Sequence, residues 1–327
     1  MFPNVHGWIW IIGFLLLNTY INILGIELTA KVNKVFMWSQ IVVIIWFLIA
    51  VAIAGASGTG GAKFSSYAFF RPDFFTGAVL FGAIAMATYN FIGVDALTTL
   101  AEETRGGYRT VGIGMTLAVL IIGLCFAFIT YAGTVIYPDP TNIGNPDTAL
   151  YIAAKIAGGP ILHWVVVIVV AIAVGFGCSL CCQASVARVF FGMGRDRMLP
   201  HSFALVHHKY KTPWFGIIFA AVVNLILALG FAKHGELLFQ FVCFGALLTF
   251  ALVNLAALYY FTIKKGSKRI FFHVVCPLLG ALGTGYAWIH LNRMALLIGF
   301  CWLAFGLIYF LYLKYLKKVD LTLEAVE

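Results

Sequence analysis

Asp95 is the one acidic residue set centrally in an apolar run. It lies in Tyr89-Asn90-Phe91-Ile92-Gly93-Val94-Asp95-Ala96-Leu97-Thr98-Thr99-Leu100, ahead of Glu102-Glu103. A carboxylate in such surroundings attracts a cationic amine, carries a proton, or works with a second acid in hydrolysis. Hydrolysis of that kind needs two carboxylates sharing a proton, and only Asp95 is central. A charge placed within a membrane costs a few kcal/mol at least and marks a functional position by default. Gly93, two residues earlier, lowers the cost of breaking a helix there. A broken helix frees main-chain groups that hold a substrate's ammonium and carboxylate. The plainer alternative is that Asp95 only caps a kink near the end of its segment.

Other residues offer weaker chemistry. Ala173-Val174-Gly175-Phe176-Gly177-Cys178-Ser179 is rich in small side chains, for which close helix packing is the ordinary role. Gly55-Ala56-Ser57-Gly58 spells the nucleophile motif of a rhomboid-type serine protease, but it runs into the polar loop Thr59-Gly60-Gly61-Ala62-Lys63 and reads as a linker. No HExxH zinc motif occurs. The seven cysteines, at 125, 178, 181, 182, 243, 276 and 301, all lie in apolar runs and read as polarizable packing residues. Neither a disulfide framework nor a metal site fits them, and no cofactor is implied. The eight histidines fall mostly at segment ends or in loops.

These residues are carried by a chain that water cannot solvate. Of its 327 residues 62% are hydrophobic and 10% charged, against about 25% charged in a soluble domain. A membrane helix needs about 20 mostly apolar residues. Nine segments qualify, at approximately 7–26, 34–55, 76–101, 111–136, 161–190, 214–232, 237–263, 270–290 and 294–316. Turn and breaker residues separate them, as in Arg71-Pro72-Asp73 and Tyr137-Pro138-Asp139-Pro140. The expected fold is an all-α polytopic membrane protein, with residues 1–327 as one membrane domain.

The net charge of +9 follows the membrane rather than a nucleic acid, since the basic residues sit in short loops between spans. Sixteen of the 21 Lys and Arg fall in one alternate set of loops, around Lys31, Lys34, Arg105, Arg109, Arg188 to Lys211, Lys264 to Arg269 and Lys314 to Lys318. The remaining five are Lys63, Arg71, Lys155, Lys233 and Arg293. The positive-inside rule makes the richer set cytoplasmic. The C-terminus is then expected inside a plasma or inner membrane. Nine spans place the N-terminus outside, which implies an odd number of missing upstream spans.

Several motifs together resemble the amino acid–polyamine–organocation permease superfamily. Phe91-Ile92-Gly93-Val94-Asp95 with Glu102-Glu103 is similar to that family's sixth helix. Met193-Gly194-Arg195-Asp196-Arg197-Met198-Leu199-Pro200, continuing to His207 and Lys211-Thr212-Pro213, resembles the loop after its eighth helix, and Lys31-Val32-Asn33-Lys34-Val35 the junction of helices four and five. Leu97-Thr98-Thr99-Leu100, Gln183-Ala184-Ser185-Val186-Ala187-Arg188 and Phe244-Gly245-Ala246-Leu247 are similar to stretches of putrescine importers within the superfamily.

The resemblance implies twelve helices in an inverted-repeat fold, with these nine matching helices four to twelve and the first three absent. It implies a cation-coupled, alternating-access carrier of amino acids or polyamines. Its substrate would be a small cationic or zwitterionic amine, with a proton or sodium as possible coupling ion. By resemblance, Tyr89 is an aromatic gate and Asn90, Phe91, Ile92 and Gly93 form or adjoin the unwound strip. Asp95 handles substrate or proton, and Gly177, Cys178 and Ser179 face the site from the eighth helix. Gln40 stands where some relatives carry a coupling lysine, which weakens that device here. With the first helix absent, the 327 residues alone are expected not to transport. The competing expectations are a membrane scaffold that transports nothing and, more remotely, the intramembrane protease.

Overall fold

A computed structural model describes residues 7–65, 90–101, 106–139, 148–231 and 234–317, together with positions 72, 76, 77, 80, 83, 87, 104 and 143–145. These residues form helices α1 (Gly7–Leu24), α2 (Ile26–Ser57), α3 (Gly107–Ile136), α4 (Ala149–Val169), α5 (Gly177–Arg195), α6 (Trp214–Gly230), α7 (Gly235–Tyr259), α8 (Cys276–Ile289) and α9 (Arg293–Leu311). The protein is all-α, and among the described residues seven helical stretches are long and apolar enough to cross a membrane, with α6 a shorter apolar helix. Lipid must solvate their outer faces. Leu16, Ile53, Leu124, Ile226, Leu279 and Trp302 are among many large apolar side chains left exposed by the protein itself.

Most spans expected from the sequence coincide with these helices, and the differences are local. The chain breaks at Gly25, whose φ of 127° ends α1 and starts α2. The 32 residues of α2 make a rod of about 48 Å at 1.5 Å per residue, longer than the roughly 30 Å of a bilayer's hydrocarbon core. Lys31 and Lys34 therefore lie on the helix itself, in its first turns. The expected span 161–190 is part of a longer helical stretch, 149–195, broken at Gly159 (φ 73°) ahead of Pro160 and loosened to π-helix over Val170–Phe176. Of the expected span 76–101, much lies outside the described residues. What is described there is helix at positions 77, 80, 83 and 87, then a turn at 90–93 followed by a 3-10 helix over Val94–Leu100.

The chain divides into two compact units, one of residues 1–75 and 93–225, the other of 76–92 and 226–327. In the first, Phe47, Ala50, Val51 and Ala54 recur at helical spacing on α2 and pack against Ala132, Val135 and Ile136 of α3 and Ala153, Ala154, Leu162 and Val166 of α4. The small residues allow close approach. A Cβ added at Gly55 would sit 2.9 Å from Val135 and from the Phe64 ring. In the second unit, Cys243, Phe244 and Leu247 of α7 pack on Ala287 of α8 and on Leu291. Trp288 Nε1 donates to the Phe244 carbonyl at 3.1 Å, and Phe244, Trp288 and Phe300 enclose one another with ring centroids 5.3 to 5.5 Å apart.

Candidate functional site

The interruption at Gly93 is built by the backbone. Gly93 has φ 105°, a left-handed conformation that other residues reach only at a cost. Two local bonds hold it: its carbonyl accepts from Ala96 N at 3.1 Å, and its amide donates to Asp95 Oδ1 at 3.0 Å. Asp95 is exposed, and its carbonyl accepts from Thr98 Oγ1 at 2.6 Å. The carboxylate thus fixes the break from within, and among the described residues it forms no ion pair.

Beside the break, inside the first unit, lies a cavity of about 310 Å³. Gly93, Ala96 and Leu97 form one wall. The others come from α1 and α2 (Asn22, Thr29, Asn33), from α5 (Cys181, Ser185, Arg188) and from the chain entering α6 (Thr212, Ile217). A hydrogen-bonded polar cluster stiffens its back wall. Asn22, buried, donates through Nδ2 to the Leu180 carbonyl at 3.1 Å and to Gln183 Oε1 at 3.0 Å. Gln183 donates in turn to Thr19 Oγ1 at 2.9 Å and to the Ile217 carbonyl at 3.3 Å. Thr29 Oγ1 lies 3.2 Å from Asn22 Oδ1, and Thr212 caps the end of α1 by donating to the Ile23 carbonyl at 2.9 Å. One turn earlier on both helices, Asn18 Nδ2 donates to Ser179 Oγ at 2.6 Å, while Asn18 Oδ1 is buried without a partner. In lipid such bonds between helices replace the missing hydrophobic drive.

Of the residues singled out from the sequence, Gly93 lines this cavity. Gly177 faces α2 instead, where a Cβ would lie 3.2 Å from Phe36. Ser179 is held by Asn18 on α1, and Cys178 is exposed on α5. Gln40 is half-buried on α2, seven residues beyond Asn33. Asn90, Phe91 and Ile92 form the turn before Gly93, with Ile92 packed on the core of the second unit. Tyr89 lies outside the described residues. The sequence carries a signal for the polar cluster in Asn18 and Asn22, spaced i, i+4 in an apolar helix. Cys181, read as a packing residue, lines the cavity and accepts from Asn33 Nδ2 at 3.0 Å. Ser57, the nucleophile of the protease reading, ends α2 with its hydroxyl 3.3 Å from the Ala54 carbonyl and 2.6 Å from Thr59 Oγ1, ahead of Gly58 at φ 71°. It closes a helix.

Comparison with known proteins decides the wider class. The family model described as amino acid permease matches residues 1–315. The chain belongs to the amino acid permease family. This permease is 30% identical over 318 residues to the low-affinity putrescine importer PlaP of Escherichia coli (strain K12), an alignment covering 94% of this chain and 68% of the importer. It is 26% identical over 315 residues to the branched-chain amino acid permease BcaP of Bacillus subtilis (strain 168), covering 92% of this chain and 63% of that one. It is 26% identical over 306 residues to the methylthioribose transporter of Bacillus subtilis (strain 168), covering 91% of this chain and 62% of the relative. The permease family and its transporter relatives make the chain a transporter rather than an enzyme, and the protease expectation is set aside.

Proposed function

We propose that this permease moves a small amine or amino acid by cation-coupled alternating access, with the interruption at Gly93 as part of the path. The observation that carries the reading is the Gly93 turn, with φ 105°, opening beside a cavity lined by polar side chains of α1, α2 and α5. A main chain unwound at this point leaves carbonyl and amide groups for a solute's charged ends. Asp95 supplies the negative charge that favours a cationic amine or carries the coupling proton. Tyr89 serves as the aromatic gate, Asn90, Phe91 and Ile92 continue the unwound strip, and α5 supplies the facing wall through Cys181 and Ser185, with Gly177, Cys178 and Ser179 in the turn before them. Gln40 holds the coupling position on α2. The excess of basic residues in one set of loops orients the C-terminus to the cytoplasm of the cell membrane.

The substrate classes named for the relatives, putrescine and branched-chain amino acids, share an ammonium group and are the ligands to try first. Because the chain spans 68% of the importer's length and less of the other two relatives, vesicles holding only these 327 residues are expected to bind such a solute without accumulating it. The test is binding of labelled putrescine and of labelled leucine to membranes containing the chain. Saturable binding of either, lost in Asp95→Asn, supports the reading. Binding of neither, or binding indifferent to that substitution, removes it in favour of a scaffold that transports nothing.

A further inference from the structure

The second unit carries a concentration of positive charge that its own sequence does not neutralise. Lys264, Lys265, Lys268 and Arg269 fall within six consecutive residues between α7 and α8, and all four are exposed. From residue 237 to residue 319 there is no Asp or Glu. Among the described residues none of the four forms an ion pair, and Lys265 Nζ lies 5.3 Å from the centre of the Tyr260 ring. The basic loop of the first unit differs, since there Arg195 Nε lies 3.4 Å from Asp196 Oδ1.

The connection is an ordered one. Lys265 N and Ser267 N donate to the carbonyls of Tyr260 and Phe261, each at 2.9 Å, with Gly266 at φ 56° making the reversal. Ser267 Oγ lies 2.7 Å from His273 Nδ1, and the His273 ring stacks on Phe261 with centroids 4.3 Å apart. The cations are therefore presented on a closed hairpin, which lowers the entropy lost when a ligand engages them. Large apolar side chains flank them on both sides: Ile263 is 70% exposed, Ile270 66%, Phe271 62% and Phe272 66%. Four basic residues directly at the end of a membrane helix, with apolar neighbours on either flank, match the level where acyl chains give way to phosphate.

We propose that the Lys264–Arg269 hairpin is a binding site for the phosphate headgroup of an anionic phospholipid, whose acyl chains lie against Ile263, Ile270, Phe271 and Phe272. Each cation at an anionic surface contributes about 1 kcal/mol, roughly fivefold in affinity, so removing all four abolishes a measurable preference. The site does not depend on the transport reading and survives its failure.

The test uses the full chain in phosphatidylcholine nanodiscs with spin-labelled phosphatidylglycerol as probe, scored against spin-labelled phosphatidylcholine. The unaltered chain is expected to prefer phosphatidylglycerol at least tenfold. The combined variant Lys264→Gln, Lys265→Gln, Lys268→Gln, Arg269→Gln is expected to lose that preference, while Lys264→Arg, Lys265→Arg, Lys268→Arg keeps it and shows that the fold tolerates change there. Arg195→Gln, Arg197→Gln, Lys209→Gln, Lys211→Gln, which removes equal charge from the first unit, is expected to leave most of it. No preference in the unaltered chain overturns the proposal, as does an equal loss from both neutralised loops. Release of the probe by millimolar inorganic phosphate overturns it too, since the site would then hold free phosphate.

Discussion

Asp95 and Gly93 are joined across two residues: the glycine amide donates to the aspartate Oδ1 at 3.0 Å. The acid therefore has two separable properties, an oxygen that holds the break and a negative charge, which the proposed function assigns to the solute or the coupling proton. An asparagine keeps the first and loses the second.

Asp95→Asn should accordingly leave folding close to unchanged and weaken binding of a cationic amine. A charge-assisted contact contributes roughly 1.5–3 kcal/mol, so the expected loss is about ten- to a hundredfold. Equilibrium binding of labelled putrescine to membranes with equal amounts of each protein measures it. Asp95→Ala should lose binding and also loosen the turn, seen as faster proteolysis near residue 93.

Gly93→Ala tests the backbone itself. Nothing lies within 4 Å of a Cβ at that point, yet φ is +105°, so any penalty is conformational rather than steric. It should be on the order of 1–2 kcal/mol, enough to shift the segment toward ordinary helix. The expected readout is weaker binding with the melting temperature lowered by only a few degrees.

Asn22 and Gln183 should behave as a coupled pair. Asn22→Ala and Gln183→Ala each leave a buried partner unmatched, costing about 1–3 kcal/mol, and the double substitution should cost less than the two added together. Bonds of this kind in membranes average about 0.6 kcal/mol of coupling. Thermal unfolding of the four proteins in one detergent measures the cycle, and strict additivity would show that the bond at 3.0 Å does not hold α1 to α5.

In the second unit, Gly299→Ala should be among the more damaging single-methyl additions. The new Cβ would come 2.4 Å from the Phe244 ring, which Trp288 and Phe300 hold in place. Overpacking of this kind costs typically 1–3 kcal/mol, read as a lowered melting temperature. Gly306→Ala on the same helix, where nothing lies within 4 Å, is the neutral comparison.

Helix content was plain from the sequence because lipid imposes a simple rule, a long apolar run for each crossing. The runs at 237–263 and 294–316 became helices within a few residues of those bounds. The break at Gly93 was legible for a related reason, a glycine two residues ahead of an acid in an apolar run. What stayed hidden depends on partners far apart in the chain. Nothing local to Asn22 says that Gln183, 161 residues away, will meet it, or that Thr212 will cap α1. The small-residue run at 173–179 illustrates the same limit. Its composition indicates close packing, but not that Gly177 turns to Phe36 while Ser179 turns to Asn18.

Cys181 offers the most direct view of the cavity beside Gly93, since its thiol is exposed and lines that space. The decisive measurement is its rate of alkylation by N-ethylmaleimide in membranes, with and without saturating putrescine or leucine, resolved from Cys178 and Cys182 by peptide mass. If a solute is held at the break, one of these ligands slows Cys181 several-fold, and Asp95→Asn removes the protection. Equal alkylation rates with and without either ligand would contradict the account.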